Sequence, residues 1–146
     1  MPIRHVQGNI LDSRCQTLVC PVNTVGVMGK GVALQMAKHY PLLLAEYRKA
    51  CNDRSLNVSR PVLIGVKSNT YVLCLATKMD WRNPSRLEWI DAGLGATSEL
   101  IGEGLIKSLA LPMLGCGAGG LDWKDVRALI YKHFQHELID IEIYGS

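Results

Sequence analysis

One stretch restricts this chain more than any other: the apolar run of residues 18–22, which ends in Asn23, passes Gly26, Gly29 and Gly31 and enters a helical pattern from Lys30 onward. Read locally, it is strand, glycine turn, helix start, because glycine adopts backbone angles that other residues avoid. A turn that leads into a helix presents unpaired N–H groups at the positive end of the helix dipole, so it suits an anion such as a phosphate or diphosphate. A second turn of this kind, Gly115-Cys-Gly-Ala-Gly-Gly120, follows residues 108–114, which read as another buried strand, and precedes another helical pattern. Two such turns can grip both sides of one extended phosphate-bearing ligand, whereas either alone also reads as a plain tight connection.

Around these turns the chain alternates strand and helix patterns. Residues 3–7 alternate apolar and polar side chains, and residues 9–12 read as the loop after them. Residues 17–22 are almost continuously apolar, as a central strand covered on both faces requires. Helical spacing runs over residues 30–38, and Pro41 ends that helix or opens the next, which carries Leu43, Leu44 and Tyr47. Two strands, 62–66 and 71–75, join through a turn at Ser68 and Asn69, and the second runs straight into Ala76, Thr77 and Lys78.

Ser85 and Glu88 have the spacing of a capping box for a helix with the apolar stripe Leu87, Ile90, Leu94, Ile101 and Leu105. Its glycines, 93, 95, 102 and 104, point to close packing or to a break near Gly102. Asp122 caps a last helix bearing Val126, Leu129, Ile130, His133 and Phe134, and residues 139–144 form a terminal strand. Such alternation implies an α/β domain, helices on both faces of a mixed, mostly parallel sheet, with ligands at the carboxyl ends of the strands.

The 146 residues, 48% hydrophobic and 20% charged, are enough for one core and one domain, 1–146. No apolar stretch approaches a membrane span, and the N-terminus lacks the apolar centre of a secretory signal, so a cytoplasmic protein is expected. The five cysteines lack Cys-x-x-Cys or zinc-like spacing, and no metal or cofactor is expected. A net charge of +3 from scattered basic residues permits a polyanionic partner without requiring one.

Two familiar nucleotide motifs are disfavoured. Gly115, Gly117 and Gly120, with Asp140 beyond them, match the dinucleotide fingerprint, but too little chain follows to build that fold. No Ser or Thr follows Lys30, so the first turn is not a P-loop. Lys78, just past a strand end, stands where catalytic groups of α/β folds gather, and equally reads as a solvated lysine. Asn23 suits a sugar hydroxyl or a turn cap. Cys116 is a nucleophile or a small residue tolerated in a crowded turn. Trp81 and Arg82 could stack on a nucleobase and pair with a phosphate, or pack their own loop.

Several motifs resemble one family in the right order along nearly the whole chain: Gly8-Asn-Ile-Leu, Val22-Asn-Thr-Val-Gly-Val-Met-Gly-Lys-Gly31, Ala76-Thr-Lys-Met-Asp-Trp-Arg82, Pro84-Ser-Arg-Leu87 and Leu111-Pro-Met-Leu-Gly-Cys-Gly-Ala-Gly-Gly-Leu-Asp-Trp123. They are similar to the macrodomain, and within it to the DarG-type DNA ADP-ribosyl glycohydrolase antitoxins. The resemblance implies a three-layer α/β/α fold binding ADP-ribose. Asn9 and Ile10 then face the adenine; Gly29, Lys30, Gly31 and Val32 hold the diphosphate opposite Gly115, Cys116, Gly117, Ala118, Gly119, Gly120 and Leu121.

By the same resemblance Asn23, with Thr24 beside it, meets the distal ribose and is a catalytic candidate beside Lys78, which, with Thr77 next to it, is the residue on which hydrolysis depends, as nucleophile or as electrostatic group. Many macrodomains have an aspartate at the place of Asn9, and some related glycohydrolases use an aspartate in the second glycine loop; this loop offers none. The implied activity is removal of ADP-ribose from a modified DNA base, thymidine by analogy. A non-catalytic ADP-ribose reader and a hydrolase acting on ADP-ribosylated protein or ADP-ribose 1″-phosphate are the alternatives. A monomer is expected, with a DNA-modifying toxin as partner. Such antitoxins continue into a further C-terminal region, so the sequence reads as a truncated antitoxin or a stand-alone protein.

Overall fold

A computed structural model describes residues 3–145. A six-stranded sheet has the order β1-β6-β5-β2-β4-β3, built from β1 Ile3–Val6, β2 Thr17–Asn23, β3 Val62–Lys67, β4 Thr70–Lys78, β5 Ser108–Leu111 and β6 Asp140–Tyr144. All neighbours run parallel except the hairpin of β3 with β4, whose turn includes Asn69 in the left-handed region at φ 59°. Asparagine tolerates that region better than most residues, so the turn expected at Ser68 and Asn69 forms there.

Period-two alternation distributes the inner strands between two cores. Leu18, Cys20 and Val22 of β2 and Val72, Cys74 and Ala76 of β4 face one side, where they pack with Met36 of α1 (Gly31–His39) and Leu43, Tyr47 and Ala50 of α2 (Leu43–Asn52). Val19, Leu73 and Leu75 face the other, against Ile90 and Leu94 of α3 (Leu87–Gly102) and Val126, Ile130 and Phe134 of α4 (Trp123–Phe134). Three layers result, α/β/α, and the continuously apolar β2 lies inside the sheet as its composition requires.

Four local expectations change. Residues 9–12 are not loop throughout: Ile10–Asp12 is a short 3-10 helix capped by Asn9, whose Oδ1 accepts the Leu11 N–H at 3.0 Å. No Ser85–Glu88 capping box forms. The N-cap of α3 is Arg86 without a side-chain cap, and Glu88 instead accepts from the Arg86 guanidinium at 2.9 Å. Leu105 lies beyond the end of α3 and is exposed, so the apolar stripe stops at Ile101. β5 ends at Leu111 rather than continuing to Leu114, because Pro112 has no N–H to extend a ladder. The glycines of α3 divide between the two expected roles: a Cβ at Gly93 would press on Leu75 at 3.0 Å, whereas the helix finishes at Gly102 and Gly104 turns the chain at φ 78°.

Two irregularities place the site. β2 pairs with β5 only through Thr17 with Leu109 and Leu18 with Ala110, so nothing bridges the two strands toward their carboxyl ends. Here the order reverses, β4 on one side of β2 and β5 and β6 on the other, which is where open α/β sheets bind ligands. The β2–β4 register also slips by one residue: Val22 pairs Ala76, but Asn23 pairs Lys78. This bulge sets Asn23 and Lys78 level at adjacent strand ends.

Candidate functional site

A cleft of about 800 Å³ opens at that reversal point. Its floor is the end of β2 (Pro21, Val22, Asn23), one wall is Gly29, Lys30, Gly31 and Val32, and the other is Gly115, Gly117, Ala118 and Gly119. The two glycine turns therefore face a single space. Thr77, Lys78 and Trp81 close one end, while Met113 and Tyr144 also line it. Among the described residues around it the charged ones are Lys30 and Lys78; no aspartate or glutamate contributes. α1 begins at Gly31 without a side-chain cap, so its first N–H groups are open to a ligand. A cleft of this size holds a ligand the size of a dinucleotide, and its charge favours an anionic one.

Asn23 is fixed by its own turn. Its Oδ1 accepts the N–H groups of Val25 and Gly26 at 3.1 Å and of Val27 at 3.3 Å, and its Nδ2 donates to the Val27 carbonyl at 2.8 Å. The buried Tyr47 hydroxyl donates between Oδ1 and the Asn23 carbonyl, both at 2.8 Å, and burial drives that phenol far above its ordinary pKa, so it stays a donor. Arg48 Nε holds the Gly26 carbonyl at 3.0 Å, where φ is 95°. An amide nitrogen carries two protons. One holds the turn, and the second is what Asn23 can offer a ligand.

Lys78 is half-buried, and its Nζ donates to the Trp81 carbonyl at 3.3 Å. Thr24 ties the first turn to this region, its N–H at 3.0 Å and its hydroxyl at 2.9 Å from the Met79 carbonyl. Asp80 takes both Arg82 Nε, at 3.0 Å, and Nη2, at 2.8 Å, and these bonds hold its carboxyl down at about 2. Trp81 is 49% exposed, with the Arg82 guanidinium 5.6 Å from its ring centre, and Met79, two residues before it, is 51% exposed.

Several expected site residues stand off the cleft. Asn9 caps the 3-10 turn, and Ile10 is buried in the core. Thr24 and Arg82 brace neighbouring loops. Cys116 points its thiol at the Leu114 carbonyl, 3.3 Å away, and burial, then the nearby Asp122 charge, raise its pKa, which leaves it a weak nucleophile. Gly120 turns the backbone at φ 78°, and Leu121 packs into the second core. Sequence reasoning had missed Tyr144, Met113 and Ser85. The first two could have been found by the rule that strand carboxyl ends line such sites, since β5 and β6 both end here. Among the described residues no cluster of three His, Cys, Asp or Glu could hold a metal ion, and no helix is long and apolar enough to cross a membrane.

Comparison with known proteins agrees with this geometry. A solved macrodomain of Mycobacterium tuberculosis DarG superposes with a TM-score of 0.94 at 38% identity, over 99% of this chain and 97% of that one. Thermosipho africanus DarTG in complex with ADP-ribose gives a TM-score of 0.93 at 36% identity, over 97% of this chain and 41% of that one. A Mycobacterium tuberculosis protein named DNA ADP-ribosyl glycohydrolase is 38% identical over 143 residues, 96% of this chain but 40% of its own length. The chain thus spans about two-fifths of the curated relatives it matches. The Macro domain family model matches residues 19–130, from β2 into α4. With the two glycine turns and the cleft between them, this match makes the chain a member of the macrodomain family.

Proposed function

We propose that this macrodomain is an ADP-ribosyl glycohydrolase that removes ADP-ribose from modified DNA bases, thymidine by family analogy. The observation that carries the reading is the bulge that sets Lys78 beside Asn23 at the end of a carboxylate-free cleft with room for ADP-ribose. The relative named DNA ADP-ribosyl glycohydrolase and the related structure that holds ADP-ribose support the substrate class.

In this reading the diphosphate lies between the two glycine turns, stabilised by open N–H groups at the start of α1. The distal ribose reaches Asn23 and Lys78, and the base it carries leaves past Trp81. The bond from C1″ to the base breaks, water supplies the hydroxyl at C1″, and its proton goes to the base. Lys78 assists as an ammonium beside the negative charge that develops on the departing base, or as a neutral amine that attacks C1″ and is then displaced by water. Trp81, half exposed at this end, offers a surface for a neighbouring base of a single strand. The reaction erases a modification, so a transferase must write it first; a DNA-modifying toxin is the proposed partner.

The test compares Lys78→Ala with the unaltered protein on ADP-ribosylated single-stranded DNA, ADP-ribosylated protein and ADP-ribose 1″-phosphate, with calorimetric titration of ADP-ribose beside each. Release from DNA that disappears in Lys78→Ala, with ADP-ribose affinity retained, supports the reading. Binding without release from any substrate makes the domain a reader.

A further inference from the structure

The failed capping box leaves Ser85 unexplained. Its residue is 5% exposed, it lines the cleft, and its Oγ is a buried side-chain polar atom with no hydrogen-bond partner. Leaving a hydroxyl dry and unpaired is costly, and folded proteins rarely do so without a use for it. The backbone around it is not loose: the Ser85 N–H donates to the Gly119 carbonyl at 3.0 Å, which fastens this residue to the second glycine turn. A Cβ on Gly119 would collide with both Ser85 Oγ and the Gly115 carbonyl, so Gly119 is bare where the serine oxygen comes against the turn. Across the cleft lie Gly29, Lys30 and the uncapped start of α1, whose N–H groups suit an anion.

We infer that Ser85 is a ligand-binding residue, whose hydroxyl donates a hydrogen bond to a diphosphate oxygen of the bound ADP-ribose. The inference rests on the proposed ADP-ribose cleft and adds a side-chain donor to a clamp otherwise made of backbone N–H groups. In the empty protein the hydroxyl has no acceptor; a phosphate oxygen between the two turns supplies one. The serine therefore destabilises the free fold slightly and stabilises the complex.

That opposition gives the test, made by calorimetric titration of ADP-ribose together with thermal melts with and without it. Ser85→Ala should melt no lower than the unaltered protein when empty, and should bind ADP-ribose about tenfold more weakly or worse, the usual effect of deleting a donor to a charged group. Ser85→Cys keeps the volume with a poorer donor and should weaken binding as well; it serves if the alanine variant does not fold. Unchanged affinity in these variants would overturn the inference, as would a lower melting temperature of empty Ser85→Ala, since the hydroxyl would then have a partner within the protein. Absence of binding by the unaltered protein would overturn both the inference and the ADP-ribose reading, whereas equal binding by wild type and variants would overturn the inference alone.

Discussion

Replacing Asn23 by alanine separates a residue that holds the site from one that performs the chemistry. Five hydrogen bonds converge on this side chain, from Val25, Gly26, Val27 and Tyr47 to Oδ1 and from Nδ2 to the Val27 carbonyl. They differ in what their loss costs. The N–H groups of Val25 and Val27 are only partly buried and exchange their acceptor for water. Tyr47 keeps the Asn23 main-chain carbonyl at 2.8 Å. The Gly26 N–H is buried and has no replacement, and a stranded buried donor costs about 1–3 kcal/mol. Asn23→Ala should therefore lose about 2 kcal/mol, read in urea as a lower midpoint with unchanged slope and as a drop of roughly 4–8 °C in Tm.

Lys78→Ala, which gives up a single bond at the rim of the cleft, should stay within about 0.5 kcal/mol of the unaltered protein. Tyr47→Phe shares the Asn23 network, so the double variant should lose less than the sum of the two single losses. An Asn23→Ala protein with the wild-type urea midpoint would refute this account of the turn, and any loss of turnover would then belong to contact with the substrate.

Other consequences are briefer. Gly119→Ala should abolish ADP-ribose binding by calorimetry, because a Cβ there collides with the Gly115 carbonyl and forces the second turn open. Phe134→Ala, fully buried between α4 and the sheet, should cost about 3–5 kcal/mol in a urea melt while leaving cleft residues untouched. Burial pushes the Cys20 thiol up to about 12 and the Cys74 thiol well above its ordinary 9.0; burial thus keeps both protonated in the fold while the unfolded chain ionises them. Their stabilisation is complete below pH 9 and is lost as pH rises beyond it, by about 1.4 kcal/mol per pH unit for each thiol, so urea midpoints should fall steeply between pH 9 and 11.

The layered fold was readable because its causes are local. Continuous apolarity placed β2 inside the sheet, glycines before helical patterns marked both turns, and Asp122 capped α4 as its position suggests, its side chain accepting the Lys124 N–H at 3.0 Å. What escaped depends on contacts between distant segments. Ser85 and Glu88 satisfy the capping pattern, yet the Ser85 N–H is drawn to Gly119, 34 positions away, and the helix starts one residue later than the pattern expects.

The slip between β2 and β4 is the most consequential of these. In an unbroken parallel ladder Asn23 would stand level with Thr77, and Lys78, one residue on, would project toward the opposite face, since successive side chains alternate. One extra residue in β4 reverses that assignment and brings the lysine into register with the asparagine that organises the first turn. No residue in Leu75-Ala-Thr-Lys-Met79 marks a bulge by type, so the sequence motif identifies the lysine and only the register explains why it faces the cleft. Exchanging Thr77 and Lys78 should test this: the lysine then occupies the extra position, out of register with Asn23, and should lose its effect on turnover even though the lysine, Asn23 and both glycine turns all remain.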